Sequence, residues 1–207
     1  MIIGQGEEKV IRIDPNTEEQ EIEIHERGSA RVFIGANKKL RLEVVLAGER
    51  ASVVIVGRFL GKNAEAQDAA VRVVMQAPKT ECDIQFRAAL ADTSASFFDG
   101  LIRVEEGAKD AKGFLSYKAL LLSPGARAKP MPRLEALTKE VASLGHAASV
   151  GKMDEGQLFY LQSRGLPREA AERLIVDGFL SMPKAPSIKD FSDKVLTRKI
   201  AGCIIQS

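Results

Sequence analysis

Residues 134–180 read LEALTKEVASLGHAASVGKMDEGQLFYLQSRGLPREAAERLIVDGFL. The first part carries one histidine, His146, among small residues. The second part reads as two helices joined at Gly165. Asp154 is a helix-capping residue, and Gln157 follows at capping-box spacing. Leu158, Phe159, Leu161 and Gln162 come next, with apolar residues on one side. Gly165 stands where a left-handed residue ends a helix, and Pro167 falls in the first turn of the next one. Ala170, Ala171, Leu174, Ile175 and Val176 then recur at helical spacing. The pattern predicts helices near residues 154–164 and 167–180.

The chain ahead of this stretch has a different period. Val10, Ile11, Ile13, Ile22, Ile24, Val32, Ile34, Leu40, Leu42 and Val44 fall mostly at spacing two, with charges between them, as in half-buried strands. Asp14-Pro15-Asn16 and Gly35-Ala36-Asn37 supply turns. Ser52–Val56, Val71–Met75, Asp83–Leu90, Phe97–Val104 and Gly113–Leu122 continue the series. No amphipathic helix interrupts it before about residue 150. Short strands without crossover helices mean a sandwich, a barrel or a β-solenoid, and the irregular spacing leaves these three open.

Composition narrows the function classes. The 207 residues suit one domain with a small appendage, and 45% hydrophobic content supports a sizeable core. Thirty basic and 28 acidic residues give a net charge of +2 with no basic block, so no nucleic-acid footprint is expected. Cys82 and Cys203 lie far apart, outside any CxxC pattern, which argues against a disulfide framework or a zinc site and for a reduced, cytoplasmic setting. The first residues, MIIGQGEEKVIRID, contain no apolar core of a signal peptide, and no run is long enough to cross a bilayer. Gly57–Asn63 has glycines and a lysine but not the P-loop spacing, so it is expected to be a turn and no bound nucleotide is expected.

Several ordered motifs carry a resemblance. They are Phe98-x-Gly100-x-Ile102-x-Val104, Leu120-Leu121-Leu122-Ser123, Leu134-Glu135, His146-x-Ala148-Ser149-Val150-Gly151, and Asp154-Glu155-x-Gln157-Leu158-Phe159-Tyr160-Leu161 running into Ser163-Arg164-Gly165. Across residues 70–180 the chain resembles the SufB/SufD family, the scaffold components of SUF iron–sulfur cluster assembly. Residues 1–70 share only its texture. The resemblance implies a mainly β fold, a right-handed parallel β-helix over 1–150, with a C-terminal helical region over 151–207 that docks an ABC-type ATPase resembling SufC. Gln157, Phe159, Tyr160, Leu161, Arg164 and Leu166 are the candidate partner-binding residues. The β-helix would pair with a second copy or a SufB-like paralogue, with Leu120, Leu121, Leu122, Gly145 and Ala147 at the interface.

His146 is the candidate metal ligand, toward iron or a transient iron–sulfur cluster, since neutral imidazole suits iron. The bland reading is a histidine that hydrogen-bonds in a packed coil. Two SufB-type ligand positions hold other residues: Tyr117 stands where that type has a cysteine, and Ala147 where it has a glutamate. The chain therefore resembles the SufD type more, in a short form. Cys82, flanked by Glu81 and Asp83, reads as structural. His25 reads as solvent-facing. Glu169 and Glu172 read as ordinary exposed helix charges. Ser187 with Asp190 resembles a further helix start, and Cys203 to Ile205 are apolar.

Two other classes compete with a non-catalytic scaffold. A β-helical enzyme on sugars or acyl groups would need clustered Asp or His on one face, and no such cluster is visible. A dimeric scaffold that binds no metal fits the missing cysteine and glutamate.

Overall fold

The computed structural model describes residues 1–35 and 38–181. The described residues form twelve strands and two helices. The strands are β1 (Ile2–Ile3), β2 (Glu8–Arg12), β3 (Glu19–Ile24), β4 (Ser29–Ile34), β5 (Lys39–Leu46) and β6 (Ser52–Gly61). Then come β7 (Ala66–Met75), β8 (Glu81–Leu90), β9 (Ala95–Val104), β10 (Ala111–Leu121), β11 (Arg127–Ala136) and β12 (Val141–Lys152). Helices α1 (Glu155–Ser163) and α2 (Arg168–Leu180) follow. The reading at Ser187–Asp190 and Cys203–Ile205 lies outside the described residues.

Successive strands alternate between two sheets. Sheet A runs β1-β3-β5-β7-β9-β11 and sheet B runs β12-β10-β8-β6-β4-β2, and every pairing is parallel. The chain is a parallel β-solenoid, as the resemblance implied. Each coil gives one strand to each sheet and hydrogen-bonds only to the coils above and below.

The alternating residues meet in the space between the sheets. Ile22, Ile24, Val32, Leu40, Leu42, Val44, Ile55, Val71, Val73, Ile84 and Ile102 are all buried there. Coil length is not constant. Glu8 aligns with Ser29, an offset of 21 residues, whereas Ala95 aligns with Arg127, an offset of 32. The solenoid widens as the strands lengthen. One corner nevertheless repeats. Gly6, Arg27, Arg50, Lys79 and Asp110 all have positive φ, from 55° to 68°. Each donates its N–H to a carbonyl of the next coil: Glu26, Glu49, Pro78, Lys109 and Glu140, at 2.7–3.1 Å. The left-handed conformation costs a side-chain-bearing residue free energy, and the coil-to-coil bond offsets it.

The widest coils are filled by three rings. Phe86 and Phe98 lie 4.8 Å apart, Phe98 and Tyr117 5.3 Å, and Phe86 and Tyr117 5.9 Å. The buried Tyr117 hydroxyl donates to Ser96 Oγ at 3.0 Å. Gly57 lies in register with Phe86, which in turn aligns with Tyr117. A methyl group at Gly57 would overlap the Phe86 ring. Gly57–Asn63 is thus not the turn that its glycines suggested. Gly57 to Gly61 complete β6, and the chain turns only after it, at Asn63 and Ala64. The glycine serves the ring beside it.

Gly→Ala in a free strand stabilises by roughly 0.5–1 kcal/mol. In this position the overlap reverses the sign. Gly57→Ala is expected to lower the unfolding free energy by about 1–3 kcal/mol. A denaturant midpoint at or above that of the wild type would contradict this packing.

Candidate functional site

The helices begin and end where the sequence placed them. Asp154 caps α1, accepting from the N–H groups of Gly156 (2.8 Å) and Gln157 (3.2 Å). Gly165 has φ +92° and breaks the chain between helices, and Pro167 precedes α2 as its N-cap. Glu172 accepts from Arg168 one turn away at 2.8 Å, an ordinary helix-surface pair.

The hairpin does not close the end of the solenoid. It lies on the outer face of sheet B. Val176 packs on Ala89 and Leu120, with Leu122, Met153, Ile175, Phe179 and Leu180 around them. Arg87, pointing out of β8, fixes the far end of α2. Its Nη1 donates to the carbonyls of Phe179 (2.5 Å) and Ser181 (3.1 Å), and its guanidinium stands 5.8 Å from the Phe179 ring. A cation at a helix C-terminus satisfies carbonyls that have no partner within the helix. No sequence pattern marks this residue. In the structure it sits in an outward row of three cations, Arg58, Arg87 and Lys118, aligned across β6, β8 and β10.

α1 packs mainly on α2, and its own outer surface stays open. Phe159 is 72% exposed and Tyr160 57%, while Leu158 alone in α1 is buried. Arg164 stacks over the Tyr160 ring at 5.4 Å. Gln157 is exposed at the rim of a hollow formed with Leu120, Lys152, Leu174 and Phe179. Leu161 and Leu166 are half-buried in the bend, where the Leu166 N–H donates to the Leu161 carbonyl at 3.3 Å. All six candidate partner-binding residues therefore belong to one hairpin, and the two aromatic ones face solvent.

The candidate interface residues divide. Leu120 is buried under Val176 of α2, Leu122 flanks the same cluster, and Leu121 packs on the main core. None of the three forms an open apolar surface at the end of the solenoid. Gly145 makes room for Phe114 of its own chain, whose ring would lie 3.2 Å from an added methyl group. Ala147 is exposed on β12.

His146 is also on β12. It aligns with the buried Leu115, so it continues an inward-facing row, yet it is exposed because no coil follows. Among the described residues no group of three or more His, Cys, Asp or Glu side chains could hold a metal ion. Tyr117 is sealed in the ring stack and offers nothing to a metal. Cys82 is buried in the core, and burial with Asp83 beside it pushes its thiol far up, which fits a structural role. His25 pairs with Glu23 at 3.4 Å, its side chain 44% exposed.

The outer face of sheet A carries charges but in matched pairs. Arg41 grips Asp68 with two bonds, at 3.1 and 2.7 Å, and Arg133 grips Asp99 at 2.7 and 2.8 Å. Arg103 bridges to Glu105 and Glu135 at 2.7 and 3.3 Å. Hydrogen bonding from Arg41 holds the Asp68 carboxyl below its ordinary range. Carboxylates held ionised by arginine are poor general acids.

The family model described as "SUF system FeS cluster assembly, SufBD core domain" matches residues 15–179. The chain belongs to the SufBD core family. An iron–sulfur cluster assembly protein SufD of Bacillus subtilis is 34% identical over 157 residues, covering 76% of this chain and 34% of the relative. A SufBD family protein of Pyrococcus horikoshii is 38% identical, covering 77% and 31%. One of Mycobacterium bovis is 32% identical, covering 66% and 36%. The chain spans about a third of the length of these relatives. No described helix of this SufBD chain is long and apolar enough to cross a membrane.

Arg87 gives a direct test of how the hairpin is held. Arg87→Ala removes charged hydrogen bonds together worth about 1.5–3 kcal/mol. Amide exchange in residues 171–180 should speed up while that in β6 and β10 stays slow. Unchanged exchange in α2 would show that the apolar cluster holds the hairpin without it.

Proposed function

We propose that this chain is a non-catalytic scaffold component of SUF-type iron–sulfur cluster assembly, acting in the cytoplasm. The observation that carries the reading is a SufBD core whose C-terminal hairpin presents Phe159 and Tyr160 to solvent. Exposed aromatic side chains beside an arginine are the usual anchors of a protein interface. The partner proposed for this surface is an ABC-type ATPase resembling SufC.

The second contact is the open end of the solenoid, taken up by a second copy of the chain or a SufB-like paralogue. At that end one chain offers iron a single exposed imidazole, His146. A two-fold partner brings a second, and the remaining ligands come from the sulfur of the cluster or from the paralogue. The iron–sulfur cluster is thus cargo, held transiently between chains. The paired carboxylates of sheet A and the absence of a His/Asp cluster among the described residues weigh against a sugar- or acyl-directed enzyme.

Tyr160→Asp and Leu166→Asp should each reduce capture of the cognate ATPase by about tenfold, the effect of losing roughly 1.4 kcal/mol at an interface. Capture unchanged by both places the docking surface elsewhere. His146→Ala should fold and assemble normally but retain less iron after anaerobic reconstitution with iron and sulfide, followed by visible absorbance. Full loading of that variant would leave a scaffold that binds no metal through His146.

A further inference from the structure

The outer face of sheet B is driest where the hairpin does not reach. Its outward side chains form rows across the strands. One row is Val10, Arg31, Val54, Asp83 and Phe114, and the next is Arg12, Phe33, Val56, Gln85 and Ser116. Exposure falls and then rises along both rows. Val10 and Arg12 of β2 are exposed, Arg31 and Phe33 of β4 are half-buried, and Val54 and Val56 of β6 are only 5% exposed. Beyond them Asp83 is still buried, while Phe114 and Ser116 of β10 are half-buried again. At the centre, β6 is buried on both faces without a break from Ser52 to Gly57. A strand that reads as a continuous apolar run, dry on both faces, has a layer packed on each side.

The inner layer is the solenoid core, which takes Val53 and Ile55. Among the described residues, Val54 and Val56 join neither that core nor the cluster under α2. Flanking side chains explain outward burial on sheet A. There Val74 lies in register with Arg103, and Leu101 with Arg72 and Arg133, whose long stems roof them over. Val56 has only Phe33 and Gln85 beside it, both half-buried themselves. The direction of the chain points to the missing layer. Val176 of α2 packs on Ala89, and the Phe179 and Ser181 carbonyls sit on Arg87. The helix thus descends along β8, and its exit at Ser181 heads for Gln85 and Asp83. Outward residues of a strand stand roughly 7 Å apart, so the dry patch begins one step beyond Arg87.

We propose that the outer face of β6 and β8 is the docking site of the chain's own residues 182–207, with Ile188, Phe191 and Val195 laid over Val54 and Val56. The segment starts at Ser181, beside the patch, and carries the apolar side chains that the patch requires. It is also basic, with five Lys and Arg against two Asp, which suits a face whose buried carboxylate is Asp83. The hairpin is then held between the apolar cluster beneath it and its own continuation. Docking of this segment withdraws the face of sheet B from other proteins and leaves the outer side of α1 free.

Native phenylalanines allow a conservative test. Phe33 and Phe114 flank the two valines, and Phe97 is 44% exposed on the outer face of sheet A. Each is replaced in turn, in the full chain, by the photoreactive p-benzoylphenylalanine. An equal mixture of light and heavy-isotope protein is irradiated, and the adducts are mapped by mass spectrometry. Phe33→p-benzoylphenylalanine and Phe114→p-benzoylphenylalanine should join to peptides from residues 182–207 of the same chain, several-fold more often than Phe97→p-benzoylphenylalanine. Adding Phe191→Asp should cut both yields several-fold. Adducts that join light to heavy chains would give the face to a second copy and overturn the proposal. So would the absence of adducts from residues 182–207 at both positions, equal yields from Phe97, or yields unmoved by Phe191→Asp. Should the Phe114 variant lose its strand spectrum, Phe33 alone decides.

Discussion

In a parallel solenoid every coil satisfies its backbone from the coil beside it, and the last coil has no neighbour. An unpaired backbone group costs little in water but makes an exposed edge a template for another chain. Here that constraint falls on β11 and β12, ten and twelve residues long. The hairpin that follows could have covered them. It turns instead onto the face of sheet B, where Val176 meets Ala89 and Leu120 and where Arg87 holds the carbonyls of Phe179 and Ser181. The fold thus keeps two surfaces free at once, the outer side of α1 and the end of the stack. A scaffold that must hold two neighbours together needs both.

The interior shows the same economy of position. The coils widen until branched aliphatic side chains no longer span them, and Phe86, Phe98 and Tyr117 take over. Rings of that size fit only because Gly57 and Gly100 leave room where the adjoining strands pass. Tyr117 occupies a place where a cysteine would be expected in a SufB-like chain. With its ring stacked and its hydroxyl on Ser96, it commits that place to packing.

Much of this was legible in the sequence. Spacing-two alternation marks the strands because one face of each is dry. The hairpin was legible because Asp154, Gly165 and Pro167 each perform a backbone task that few residues can. Adjacency on a helix says only that Phe159, Tyr160 and Leu161 cannot all face one core; the structure exposes the first two. Other features were hidden. The coil offset changes from 21 to 32 residues, so no repeat is visible. Three coils of the repeated corner carry Arg27, Arg50 and Lys79 rather than glycine or asparagine, and the bond to the next coil holds the left-handed turn there. Gly57 looked like a turn because its reason is a ring 29 residues later in the chain. Leu120 to Leu122 were expected together at an interface, but alternation sends their side chains to the core and to α2. Arg87 was invisible for the same reason, since its partners are carbonyls 92 and 94 residues away. Contacts set by register become readable only once the register is known.

We propose above that the chain is a connecting piece, completed at its open end by another solenoid and at its hairpin by an ATPase. Native mass spectrometry of the full chain, tagged and isolated anaerobically from its own cells, tests that claim most directly. The expected result is assemblies containing two solenoid chains together with ATPase subunits. A chain recovered alone and at single-chain mass would contradict it.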